Sequence, residues 1–255
     1  MINIIKCEIF KLYKTKKTFI SILFMLLAIF YSIFNEFIVN SESLSKSSGN
    51  MLPLSLLSSY SSFLLPILII ISVITLINNE HNDGSLTLIL LKPFTRGKII
   101  LAKFFSISIF IATFLVSSLI IGYLLSYIIF GFSNELVIKG ITLSFSDGIK
   151  LTLMSYIISI ISYIAFISFN ILICLLINSP SYATLTSIVL FFASQILNSI
   201  FKEISPLLIN YYFNSYNTIL DINILGFIFG FIINIIYVLI FLSISILIFR
   251  KKELK

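Results

Sequence analysis

Apolar runs of membrane-span length alternate with short polar interruptions along this chain. The runs lie at about 18–39, 54–77, 99–132, 151–177, 182–200 and 225–249. Crossing a hydrocarbon core takes a helix of ~20 residues, so the pattern predicts six transmembrane helices. Pro66 falls inside the second run and predicts a kink there. The third run is longer than a bilayer requires, so its helix is either tilted or extends beyond the membrane. Asn178-Ser179-Pro180-Ser181 predicts a sharp turn between spans four and five. In residues 1–17, Ile2, Ile5, Ile9 and Leu12 share one helical face, and Lys6, Lys11 and Lys14 lie mostly elsewhere. This predicts an amphipathic helix in the headgroup region, its lysines toward lipid phosphates. No small-x-small cleavage site follows, so the leader is expected to be retained. The less apolar stretch 201–224 gathers Tyr211, Tyr212, Phe213 and Tyr216, a density that favours the membrane–water interface.

Composition turns that pattern into a fold class. The chain is 59% hydrophobic and 11% charged, where a soluble domain carries roughly 25% charged residues. It is expected to be an all-α polytopic membrane protein, one membrane domain over residues 1–255. The net charge of +7 does not point to nucleic acid, because the basic residues sit at the ends of apolar runs. Placing both termini in the cytosol puts the leader lysines, Lys92, Arg96, Lys98, Lys103 and the tail from Arg250 on that side. Lys46, Lys139, Lys150 and Lys202 fall on the other. The bias predicts N-in, C-in orientation.

The chain offers little chemistry of its own. It has no G-x-x-x-x-G-K-[ST] phosphate loop. His81 is the only histidine, too few ligands for a zinc or copper site, and Cys7 and Cys174 are placed too differently to form a disulfide. No catalytic, metal or cofactor site is expected. The span interiors are almost free of charge, with Asn170, Asn198 and Asn234 the main polar exceptions. An ion-coupled carrier usually keeps ionisable groups there. The energy for any transport would therefore come from a partner.

The clearest interruption is Asn78 to Lys103, NNEHNDGSLTLILLKPFTRGKIILAK. Asn79, Glu80, Asp83 and Gly84 form a polar turn, Ser85 to Leu91 is helix-compatible, Pro93 ends it and Thr95 can cap the next helix. The result is a short helix along the membrane surface with Leu86, Ile89 and Leu90 on its apolar face. Such a face either docks a partner or rests on lipid.

The pattern Glu80-x-x-x-Gly84-Ser85-Leu86, then Lys92-Pro93-Phe94-Thr95-Arg96, then Lys98 and Lys103, resembles the ABC-2 type transporter permease family. Phe94 stands where a small aliphatic residue is usual, and Ser85 where Thr is commoner. The resemblance covers nearly the whole chain. It implies an N-terminal interfacial helix, six spans, a cytosolic coupling helix between spans two and three, and a partly re-entrant extracellular segment before span six. It further implies that Glu80 and Gly84 shape the start of the coupling helix, that Ser85 to Leu91 form it, and that Arg96 holds its exit. Plain positive-inside anchoring is the other reading of Arg96, Lys98 and Lys103. Gly226 and Gly230 form a GxxxG in span six with Asn234 one turn on, a pattern of close helix packing.

The expected function is that of a membrane subunit of an ATP-driven exporter in the plasma membrane. It would pair with a second copy or a related permease chain, dock a separate ATPase holding ATP and magnesium, and sit among membrane lipids. The charge-poor interior suits an amphipathic or hydrophobic cargo such as an antimicrobial peptide or antibiotic, which would make the role one of resistance or immunity. A non-transporting sensor or scaffold that docks a cytosolic partner is the alternative, followed by an ion-coupled carrier.

Overall fold

In the computed structural model, residues 2–14, 16–42, 52–80, 95–131, 135–138, 141–214 and 224–251 are described; within them, the side chains of 16–21, 24, 39–42, 135–138, 141–142 and 224–225 are not. Helix α1 covers Ile2–Lys14, α2 Lys16–Glu42, α3 Leu52–Asn79, α4 Arg96–Ile129, α5 Phe145–Leu176, α6 Pro180–Ile200 and α7 Ile224–Lys251. Among the described residues, five helices are long and apolar enough to cross a membrane: α3, α4, α5, α6 and α7. The described apolar part of α2 is the shorter stretch Met25–Ile38. The chain is thus an all-α polytopic membrane protein.

Burial sets the order of packing. Helices α3 and α5 form the inside of the bundle, whereas α6 and α7 are mostly uncovered. Leu52, Leu56, Leu57, Leu65, Ile69 and Val73 of α3 are wholly enclosed. Helix α2 covers α3 with Met25, Ala28, Ile29 and Ser32, the i, i+3, i+4, i+7 stripe of an amphipathic face. Ser32 Oγ lies 3.1 Å from Ser59 Oγ. Outward-facing Leu185, Ile196, Phe229, Leu239 and Leu247 offer the apolar surface that lipid requires. The many internal serines bond back onto their own helices: Ser106, Ser155 and Ser162 each donate to the carbonyl four residues earlier.

Helix α3 is interrupted twice by π-helical turns, at Tyr60–Leu64 and Thr75–Asn79. Pro66 has no N–H to give. The disturbance expected there takes the form of the wider turn just before it, closed by the Leu65 N–H on the Tyr60 carbonyl. Helix α4, with 34 residues, is about 51 Å long at 1.5 Å per residue. Helix α1 lies along its first half, with Tyr13 OH 2.6 Å from Thr113 Oγ1 and the Tyr13 ring edge-on to Phe110.

The loop expected between spans three and four carries a short antiparallel hairpin, β1 (Glu135–Ile138) with β2 (Ile141–Ser144). Ser144 then caps α5, accepting from the Asp147 N–H. At the far end of α5 the expected turn is present: Ser179 caps α6 and Pro180 occupies its first turn.

Between α6 and α7 the chain forms 3₁₀ turns at Ser205–Leu207 and Ile209–Asn214. The second reaches the mid-length of α5. Phe213 stacks on Tyr163 with centroids 4.5 Å apart and meets Phe166 edge-on. Ser159 Oγ donates to the Phe213 carbonyl at 3.0 Å. Tyr212 and Phe213 are buried within the protein, Phe213 among the α5 rings and Tyr212 against Gly230 of α7.

Candidate functional site

Four ionisable side chains meet at the end of the bundle where α1, α3 and α4 converge. On α1 the face turned to the bundle is Ile4, Glu8 and Leu12, spaced by four. It lies beside the isoleucine face that periodicity picked out: Ile2 is exposed, and Ile5 and Ile9 are half-buried. Glu8 is only 1% exposed, at the centre of that buried face.

Its partner comes from α4. Lys103, also 1% exposed, places Nζ 3.6 Å from Glu8 Oε1 and 2.5 Å from Glu80 Oε2. The same ammonium donates to the Leu76 carbonyl at 2.6 Å. Lys11 completes the cluster, with Nζ 2.9 Å from Glu80 Oε1 and 3.4 Å from Glu8 Oε1. Burial alone would lower the Lys11 pKa. The hydrogen bond to Glu80 and the charges of Glu8 and Glu80 outweigh it and hold the pKa above its ordinary value. Two carboxylates face two ammoniums, so the cluster is formally neutral, which is how buried charge is tolerated. Among the described residues, Glu8 Oε2 has no hydrogen-bond partner.

Glu80 closes α3 and immediately precedes residues 81–94. Arg96 opens α4 on the far side of that segment and directs Nη1 to the Phe249 carbonyl at 3.5 Å, at the end of α7. A guanidinium is favourable near a helix C-terminus. The two flanks of residues 81–94 are therefore anchored in the bundle at different helices. Gly84, Ser85, Leu86, Ile89 and Leu90, the body of the expected coupling helix, lie outside the described residues.

Gly230 and Asn234 are placed by the segment before α7. A Cβ on Gly230 would stand 2.4 Å from Tyr212 Cε1, so the absent side chain is what seats the ring. Asn234, fully buried, donates Nδ2 to the Gly230 carbonyl at 2.8 Å. Gly226 is half-buried. Among the described residues, no His, Cys, Asp and Glu group has the makings of a metal site.

Sequence reasoning missed Glu8 and Asn78, and it saw Lys103 only as a family lysine or a surface anchor. An acidic residue midway between Ile4 and Leu12 on one helical face was the available signal for Glu8. Asn78 is 2% exposed and donates Nδ2 to the Ile177 and Asn178 carbonyls at 2.6 and 3.2 Å. No local pattern announces that contact, since its partners are a hundred residues away.

No curated protein matches the chain. A protein-family model described as ABC-2 family transporter protein matches residues 4–194. That span runs from the buried face of α1 through the charge cluster into α6. The chain therefore belongs to the ABC-2 family of transporter proteins.

Proposed function

We propose that this chain is the permease subunit of an ATP-driven exporter, with its ATPase on a separate chain docking at residues 81–94. The observation that carries this reading is the double anchoring of that segment. Glu80 ties its start to α1 and α4 through Lys11 and Lys103, and Arg96 ties its end to α7. A surface helix that rested only on lipid would need neither tie. A push delivered there reaches three helices through bonds that are already made.

In this reading six helices span the plasma membrane, α2 being the first, with both termini cytosolic and α1 in the headgroup layer. The turn Ile209–Asn214 is the re-entrant segment on the extracellular side. Two permease copies, or this chain with a related one, flank the path. The cargo is amphipathic or hydrophobic, consistent with walls of Phe, Ile, Leu and uncharged Ser and Asn. ATP and magnesium reside in the ATPase.

The test is co-purification with a candidate ABC ATPase subunit co-expressed with this chain. Leu86→Asp and Ile89→Asp should each abolish it while leaving the permease folded. Full retention of the ATPase by both variants overturns the docking assignment.

A further inference from the structure

We propose that Asn78 is a positioning residue that ties the end of α3 to the α5–α6 turn, and that the π turn carrying it is a register switch. The proposal rests on the permease reading above for its driving force, and on the following geometry for everything else. The last carbonyls of any helix lack partners within it. Many helices solve this with a glycine whose backbone N–H turns back. Here α5 runs into Ile177, Asn178, Ser179 and Pro180. Pro180 has no N–H, and the Ser179 hydroxyl is already accepting from Tyr182. The Ile177 and Asn178 carbonyls are met instead by the Asn78 amide from α3. Asn78 Nδ2 donates to both carbonyls, and among the described residues its Oδ1 has no hydrogen-bond partner.

Asn78 faces α5 by virtue of the turn Thr75–Asn79, whose bonds run i to i+5. Returning them to i+4 would advance the following residues by one position, about 100° around the helix axis. Asn78 would leave the α5 carbonyls, and Glu80, two residues on, would leave Lys103. One local change thus releases α1 and α4 on one side and α5 and α6 on the other.

Cys174 is a native probe, buried one turn before the tied carbonyls, while Cys7 is exposed. Labelling with N-ethylmaleimide is followed in a Cys7→Ser parent held in lipid nanodiscs. Asn78→Ala and the isosteric Asn78→Asp should each label Cys174 about tenfold faster than the parent, the size expected for losing one or two net hydrogen bonds. Asn78→Gln, which keeps the donor, should return the rate toward the parent's. In complex with the ATPase, vanadate-trapped nucleotide should speed labelling of the parent, and Asn78→Ala should be fast with or without nucleotide. Parent-like rates for both Ala and Asp, a Gln rate as fast as Ala, or an Ala variant that still responds to nucleotide each overturn the proposal. Failure of the parent to bind any ATPase would overturn the permease reading, and the labelling of the chain alone would still decide the Asn78 tie.

Discussion

Replacing Lys103 by Met removes the shared cation of the charge cluster and keeps most of the side-chain volume. Its ammonium serves Glu80 at 2.5 Å, Glu8 at 3.6 Å and the Leu76 carbonyl at 2.6 Å. Among the described residues, Glu8, almost wholly enclosed, is then left with Lys11 at 3.4 Å. Removing one partner of a buried ion pair costs roughly 3–5 kcal/mol, because the other charge is stranded. Glu80 retains Lys11 at 2.9 Å, which places Lys103→Met near the lower end, about 3 kcal/mol. At about 2–4 °C per kcal/mol for a chain of this size, the melting temperature should fall by roughly 6–12 °C. Melts are compared in nanodiscs under conditions where unfolding is reversible, so that the shifts report free energies. Adding Glu8→Gln to Lys103→Met removes the stranded charge and should recover part of the loss, a coupling of about 1 kcal/mol or more in the double-mutant cycle. Lys150→Met is the control: both it and its partner Asp147 are exposed, and the melt should not move. A Lys103→Met protein that melts with the wild type, or a double variant that loses as much as the two single variants added together, refutes the reasoning.

Gly230→Ala should push the Tyr212 ring out of its seat, since the new methyl would lie well inside contact distance of it. The expected cost is about 1–3 kcal/mol, with faster hydrogen exchange at 209–214, and Tyr212→Leu in the same chain should restore both. Ser159→Ala removes the hydroxyl bonded to the Phe213 carbonyl and should raise exchange in that same segment while leaving 75–80 unchanged. Lys11→Met tests the raised ammonium pKa. A raised folded pKa contributes stability that is fully present below the ordinary lysine pKa of 10.5 and lost as pH rises through the folded pKa. The small melting gap between Lys11→Met and wild type should therefore persist to about pH 10 and close only above it. Arg96→Ala should raise exchange at both the α4 start and the α7 end, because the two are joined through the Phe249 carbonyl.

The helices were legible because a span must be apolar over its whole length, and nothing else in the chain imitates that signal. The runs at 182–200 and 225–249 correspond to α6 and α7 within two residues at each end. The hairpin has a local signal too, β-branched residues on both sides of Lys139-Gly140, though its polar and glycine residues favour a loop. What stayed hidden depends on contacts between distant positions. Glu8 reads as a solvated residue until Lys103 is placed beside it, 95 positions later. With that pair known, α1 turns Ile4, Glu8 and Leu12 inward and leaves Ile2 and Phe10 exposed. The aromatics before α7 carry the composition of an interface, and only the Tyr163 and Phe166 rings of α5 explain why Phe213 is inside. Asn78 belongs to the polar interruption in sequence and to the α5 terminus in space.

Hydrogen exchange of the permease–ATPase complex in nanodiscs, compared without nucleotide and after vanadate trapping, tests the central claim most directly. Altered exchange is predicted at 75–80 and 96–104, the two anchored flanks of the docking segment. Identical exchange at both flanks in the two states would contradict it.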